Sequence, residues 1–158
     1  MTANITILTI SDTRTEETDL SGNRIMQLAH AHRQTVLSKH IVKDDVSAIQ
    51  ASYQQLCTTG CDLIITNGGT GIAPRDVTIE ALQSFLIKEM PGFGELFRWL
   101  SYQEIGAHAM ASRALAGINE HQQLLFILPG SVNACHLAVE TLILPEIDHL
   151  MKECKKYT

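Results

Sequence analysis

The sequence predicts an α/β fold in which parallel strands are covered by helices on both faces. Two observations carry this. Short β-branched runs alternate with helix-length segments in the order βαβαβα, joined by short connections, and that order implies parallel pairing with right-handed crossovers. A glycine-rich loop then follows the third run directly, at the place where open α/β sheets hold their ligands.

Ile5-Thr6-Ile7-Leu8-Thr9-Ile10 is short, apolar and β-branched, and reads as a buried strand. A polar loop, Ser11 to Ser21, follows it. Gly22 to His32 carries Ile25, Leu28 and Ala29 at helical spacing. Thr35 opens a second strand that runs towards Val42. Asp44-Asp45 precedes a helix over Val46 to Thr59, and Gly60 suits the position just past its end. Leu63-Ile64-Ile65-Thr66 is the third strand, and a helix is expected near Val77 to Leu86.

The middle of the chain is less regular. Pro91, Gly92 and Gly94 break it, Glu95 to Ser101 reads as helix, and Ile105 to Ala111 as a short one. The apolar residues Phe93, Leu96, Phe97, Trp99 and Leu100 fit either a core or a subunit contact. Ala114 to Ile118 is a candidate strand and Leu124 to Leu128 a stronger one. A long apolar helix begins at Val132, with Pro145 expected to kink it or to start a new turn.

With 158 residues and no linker or repeat, the chain reads as one domain over 1–158. Its 45% apolar content suits a globular core. A net charge of −5 without a basic stripe argues against nucleic-acid binding. No stretch is apolar enough to span a membrane, and no signal peptide is read, so a cytoplasmic protein is expected. Cys57, Cys61, Cys135 and Cys154 lack zinc spacing, and no His pattern suggests a metal or a triad.

The sharpest chemical signal is Thr66-Asn67-Gly68-Gly69-Thr70-Gly71, then Ile72-Ala73-Pro74-Arg75-Asp76. Three glycines in four residues let the backbone approach a ligand and aim N–H groups at an anion. The loop is not a P-loop, because the Lys and Ser/Thr are missing. It is not a dinucleotide fingerprint either, because Pro74 stands where the last small residue belongs. Asp76 suits an N-cap or a Mg²⁺ ligand. One residue of Asp44-Asp45 suits a cap, and the pair could also supply a second carboxylate for the metal. Pro129-Gly130-Ser131 ends another strand on the same expected edge. Ser112-Arg113 reads as structural or solvated when taken alone.

These segments resemble the MoaB/MogA family of molybdenum cofactor biosynthesis proteins. The likeness rests on the glycine loop with Pro74-Arg75-Asp76-Val77-Thr78 and Glu80-Ala81. It extends to Asp19-x-Ser21-Gly22, Ile41-Val42-x-Asp44-Asp45, Met90 to Glu95, Ser112-Arg113-Ala114 and Leu128 to Ser131. Ser101 to Gly106 looks more like the MoaB branch. Lys43 and Val132-Asn133 depart from the usual pattern.

The resemblance implies a three-layer α/β/α sandwich with a mostly parallel sheet, assembled as a homotrimer or hexamer. It implies Mg-ATP-dependent adenylylation of molybdopterin with release of pyrophosphate. The alternative is a catalytically weak oligomeric carrier or scaffold for molybdopterin, and other cofactor-biosynthesis proteins are possible partners. By position, Asp76 and Asp44 would serve catalysis and hold Mg²⁺. The loop from Gly68 to Gly71 would cradle the nucleotide phosphates, with Thr66 and Asn67 also among the substrate-binding residues. Pro129, Gly130 and Ser131 would lie against the adenosine, and Ser112 and Arg113 towards the pterin phosphate.

Overall fold

The computed structural model describes residues 1–157. Six strands form one sheet in the order β2-β1-β3-β6-β5-β4. The strands are β1 (Asn4–Ile10), β2 (Thr35–Val42), β3 (Leu63–Asn67), β4 (Leu86–Glu89), β5 (Leu115–Asn119) and β6 (Leu124–Leu128). β2, β1, β3 and β6 run parallel, and β5 and β4 close the sheet with antiparallel pairings. Five strands therefore end on one edge, at Val42, Ile10, Asn67 and Leu128 and, for β4 at the far side, at Glu89.

Side chains alternate across a strand, so each central strand feeds two cores. Ile5, Ile7, Leu63, Ile65, Leu124, Phe126 and Leu128 face one way. There they meet α1 (Leu20–Ala31), α4 (Pro91–Ile105), α5 (Val132–Ala138) and α6 (Leu144–Cys154). Leu8, Ile10, Ile64, Leu125 and Ile127 face the other way, against α2 (Val46–Leu56) and α3 (Thr78–Leu82). The expected three-layer sandwich is present. The strands buried on both faces are the continuous apolar runs seen in the sequence.

Three elements differ from expectation. The helix expected to reach Leu86 stops at Leu82, and a 3₁₀ turn (Gln83–Phe85) leads into β4. β4 is a short, largely exposed edge strand. Its pairing partner, β5, lies some thirty residues onward, so local pattern gives no sign of it. The helix expected over Glu95–Ser101 spans Pro91–Ile105 instead. Pro91 sits in its first turn, where a missing N–H costs nothing. Gly94 does not break it; a Cβ there would come 2.9 Å from the Ala114 carbonyl oxygen, so glycine allows the helix to sit on the start of β5. The segment Gly106–Ala111 is 3₁₀ rather than α-helical. At the C-terminal end a π-helical turn, Val139–Ile143, separates α5 from α6, and Pro145 opens α6.

α4 divides the apolar run that sequence left open. Phe93 and Phe97 enter the core, with Phe93 edge-on to Phe126 at 5.0 Å. Leu96, Trp99, Tyr102 and Ile105 are exposed. Phe97→Ala should lower stability by about 3–5 kcal/mol, read as a shifted denaturant midpoint, because a fully enclosed ring leaves a cavity. Gln103→Ala, on an exposed position of the same helix, should leave the midpoint within about 0.5 kcal/mol of the parent.

Candidate functional site at the carboxyl edge of the sheet

β3 ends at Asn67, and the chain then passes through two left-handed residues, Gly68 (φ 100°) and Gly69 (φ 68°). Both positions also lack room. A Cβ on Gly68 would lie 2.3 Å from the Ile10 carbonyl oxygen, and one on Gly69 would lie 2.2 Å from Thr78 Oγ1. The loop is fastened from behind. Gly68 N–H donates to the Leu128 carbonyl at 3.0 Å, Thr78 Oγ1 donates to the Gly68 carbonyl at 2.8 Å, and Thr78 N–H donates to the Gly69 carbonyl at 3.0 Å. Among the described residues, the N–H groups of Gly69, Thr70 and Gly71 find no protein acceptor. A loop with its carbonyls tied inward and its N–H groups unspent is suited to an anion.

Arg113 braces the loop from outside. Its Nε donates to the Thr70 and Gly71 carbonyls, each at 3.0 Å, and Nη2 donates to the Asp76 carbonyl at 3.2 Å. The guanidinium also pairs with Glu80, whose carboxyl it holds below the usual range. Arg113 is thus committed to the loop backbone. Ser112 is half-buried beside it, and its carbonyl accepts from Arg98.

The two carboxylates sort themselves by capping. Asp45 is the N-cap of α2 and accepts from Ala48 N–H at 2.9 Å. That leaves Asp44 turned to the glycine loop, where a Cβ on Gly69 would sit 3.1 Å from its Oδ1. Asp76 is not a cap: Val77 occupies that position, without a side-chain bond. Asp76 instead accepts from Ala73 N–H at 3.0 Å, and a Cβ on Gly71 would meet its Oδ2 at 2.6 Å. Asp12, at the end of β1, accepts from the Asp44 N–H at 3.0 Å. Burial and then the Asp12 charge push the Asp44 carboxyl up, with Asp76 adding to the repulsion and Arg75 opposing it.

Among the described residues no three His, Cys, Asp or Glu side chains form a ready metal cage. Mg²⁺ does not need one, since it is commonly held by one or two carboxylates together with phosphate oxygens and water. Asp44 and Asp76, on either side of an anion cradle, fit that requirement.

The remaining expected site residues take two kinds of place. Thr66, Asn67 and Thr70 are buried, so their side chains shape the loop from within. Asn67 Nδ2 donates to Thr9 Oγ1 at 2.9 Å and its Oδ1 accepts from Ser21 Oγ at 2.7 Å; Thr66 Oγ1 is enclosed and has no partner among the described residues. Gly130 lies against Gly68, where a Cβ would come 3.2 Å from the Gly68 Cα. Ser131 caps α5, accepting from Ala134 N–H, and the Pro129 carbonyl accepts from Cys135 Sγ. The glycine loop, Asp44, Asp76 and Pro129-Gly130-Ser131 are therefore neighbours on one edge.

Sequence reasoning gave Arg14 no role and named Thr78 only as part of the Pro74-to-Thr78 motif, without its bonds to the glycine loop. Arg14 lies in a loop without periodicity, and it bonds to Asn67 and Gly130, far along the chain. The only signal was positional, since Arg14 falls between Ser11 and the Asp19-x-Ser21-Gly22 motif.

A glycine loop and two carboxylates thus share the carboxyl edge of an open α/β sheet, the place where proteins of this class hold their ligands. Residues 6–149 match the family described as a probable molybdopterin binding domain. The chain is 51% identical over 153 residues to molybdenum cofactor biosynthesis protein B of Staphylococcus carnosus, covering 95% of this chain and 89% of that one. It superposes on a crystal structure of a molybdenum cofactor biosynthesis protein B with a TM-score of 0.93 at 47% identity, covering 98% of this chain and 96% of the other. It also superposes on the tungsten cofactor synthesizing protein MoaB of Pyrococcus furiosus, with a TM-score of 0.90, 34% identity and 98% of each chain covered. The chain belongs to the MoaB/MogA family of molybdenum cofactor biosynthesis proteins.

The strained charge of Asp44 gives a measurable signature. A carboxyl whose folded pKa is raised above its ordinary 3.8 costs stability once the pH exceeds that value, and the cost disappears as the group protonates. Asp44→Asn should therefore melt higher than the parent at pH 7. The difference should close as the pH falls to about 3–4. Calorimetric melts across that range check both the sign and the window.

Proposed function

We propose that this protein adenylylates molybdopterin with Mg-ATP, releasing pyrophosphate. The observation that supports it best is the loop Gly68–Gly71, which lies beside the two carboxylates Asp44 and Asp76 and whose Gly69, Thr70 and Gly71 N–H groups have no acceptor among the described residues. A terminal phosphate oxygen of molybdopterin attacks the α-phosphorus of ATP. The bond from that phosphorus to the oxygen bridging the α and β phosphates breaks, and pyrophosphate leaves. Mg²⁺, when bound, supplies positive charge that offsets repulsion between the triphosphate and the incoming phosphate. The protein's part is to bind and orient. The loop backbone holds phosphate oxygens, Asp44 and Asp76 hold the metal, and Gly130-Ser131 forms a wall of the nucleotide site. No covalent enzyme intermediate is required.

Asp76→Asn keeps an acceptor for Ala73 N–H but removes the charge. It should lower pyrophosphate release by on the order of 10²-fold or more without changing the melt by more than a few degrees. A rate equal to the parent's would remove Asp76 from the mechanism. A second reading, an oligomeric carrier that binds molybdopterin without turnover, predicts saturable pterin binding and no pyrophosphate from the parent itself.

Assembly into a homotrimer or hexamer belongs to the same proposal. Trp99, Tyr102 and Ile105 on α4 are exposed, and so are Met110 (83%) and Ile72 (77%), which with Ala107, His108 and Ala111 line a shallow depression. An apolar face of this kind on one chain suits a subunit contact. Light scattering at micromolar concentration should give a mass at least threefold the 17.4 kDa of the chain, and Trp99→Glu should reduce it.

A further inference from the structure

We propose that Arg14 is a positioning residue that fixes the spacing of three loops of the site and thereby sets its affinity for the phosphates of a nucleotide; this rests on the nucleotide reading above. Its guanidinium stands where those loops meet. Nη2 donates to the Gly130 carbonyl at 2.7 Å. Nη1 donates to Ser21 Oγ and, at 3.4 Å, to Asn67 Oδ1. The side chain is only partly exposed, at 27%.

Charge balance explains only part of this placement. The buried Asp19 lies 3.6 Å from Arg14, but its hydrogen bonds come from elsewhere: Lys39 Nζ and Thr9 Oγ1, each at 2.9 Å, and the Gly22 N–H at 3.1 Å. Lys39 also pairs with Glu16 at 3.1 Å, so Lys39 and Arg14 together face two carboxylates. A second positive charge would serve that balance as a lysine; what the arginine adds is geometry. A planar fork reaches two loops at once from one rigid group, which the single ammonium of a lysine does not reproduce.

The turn that presents Arg14 also holds the opposite side of the site. Ser11 Oγ accepts from the N–H groups of Thr13 and Arg14, which folds residues 11–14 tightly. Within that turn, Asp12 holds the Asp44 backbone. Four consecutive residues thus tie the Asp44 side to the Gly130 side. The glycine loop lies between them, with Gly130 packed on Gly68. A shift of about 1 Å across such a gap is enough to cost on the order of 10²-fold in function.

The test compares Arg14→Lys and Arg14→Ala with the parent, measuring Mg-ATP binding by titration calorimetry and ligand-free melting by scanning calorimetry. Arg14→Lys should melt within a few degrees of the parent yet bind Mg-ATP at least tenfold more weakly, no better than Arg14→Ala. Parent-like affinity in Arg14→Lys overturns the proposal, since charge alone would then suffice. Ser11→Ala, which loosens the turn without touching the guanidinium, should weaken binding in the same direction and by less. If Arg14→Lys does not fold, an unchanged affinity in Ser11→Ala overturns the proposal. A parent that does not bind Mg-ATP sinks the nucleotide reading and this proposal together. A parent that binds, with both variants equal to it, sinks this proposal alone.

Discussion

The site depends on how closely Gly68 approaches its neighbours. With its Cα against Gly130 on one side and its missing Cβ aimed at the Ile10 carbonyl on the other, this residue lets the ends of β1, β3 and β6 converge without an intervening side chain. Its N–H extends the β6 pairing by one more bond, to Leu128. Any side chain here would meet backbone rather than a movable group, and the left-handed φ adds a second objection. Three loops from distant parts of the chain therefore meet within contact distance. The unspent N–H groups of the glycine loop, the carboxylates of Asp44 and Asp76, and Pro129-Gly130-Ser131 are grouped around that meeting.

The two edges of the sheet are built differently, and the difference separates stability from function. At the far edge Asn119 and Gln123 form a closed amide network with the Tyr53 hydroxyl, Cys57 and Cys61. Donors and acceptors there are spent on one another, and burial raises the thiols and the tyrosine above their usual ranges. These groups stay neutral and unreactive, and their satisfied bonds rigidify the turn between β5 and β6. At the carboxyl edge the balance is reversed. N–H groups are left unspent and Asp44 carries a charge its surroundings disfavour. An edge that holds unsatisfied groups in place needs a rigid frame behind it, which the two apolar layers supply.

Much of this was legible in the sequence, and what was not has a physical reason. The runs at Ile5, Leu63 and Leu124 name their strands because a strand buried on both faces must be continuously apolar. The glycine loop was visible because few other needs explain three such glycines. β4 was hidden, because an exposed edge strand has no pattern of its own and exists through pairing with β5. α4 was shortened because Gly94 read as a breaker, when it is required by contact with Ala114. The choice between cap and ligand at Asp76 turned on which residue begins α3, a boundary finer than sequence resolves. Arg14 bonds to residues 53 and 116 positions away, so nothing local marks it.

The reversal of β5 has a consequence for how the chain reaches this edge. β1, β2, β3 and β6 deliver the residues that follow them, whereas β5, running the other way, brings up the residues that precede it. Arg113 arrives by that route and clasps the loop that β3 sent out, more than forty residues earlier in the chain. Departing and arriving segments are thus laced together at one rim. The glycine loop cannot swing free as an independent flap, because it is clasped on one side by a segment that enters the sheet and seated on the other against segments that leave it. Such a rim is held in one shape by the fold itself, by bonds that reach it from both directions along the chain.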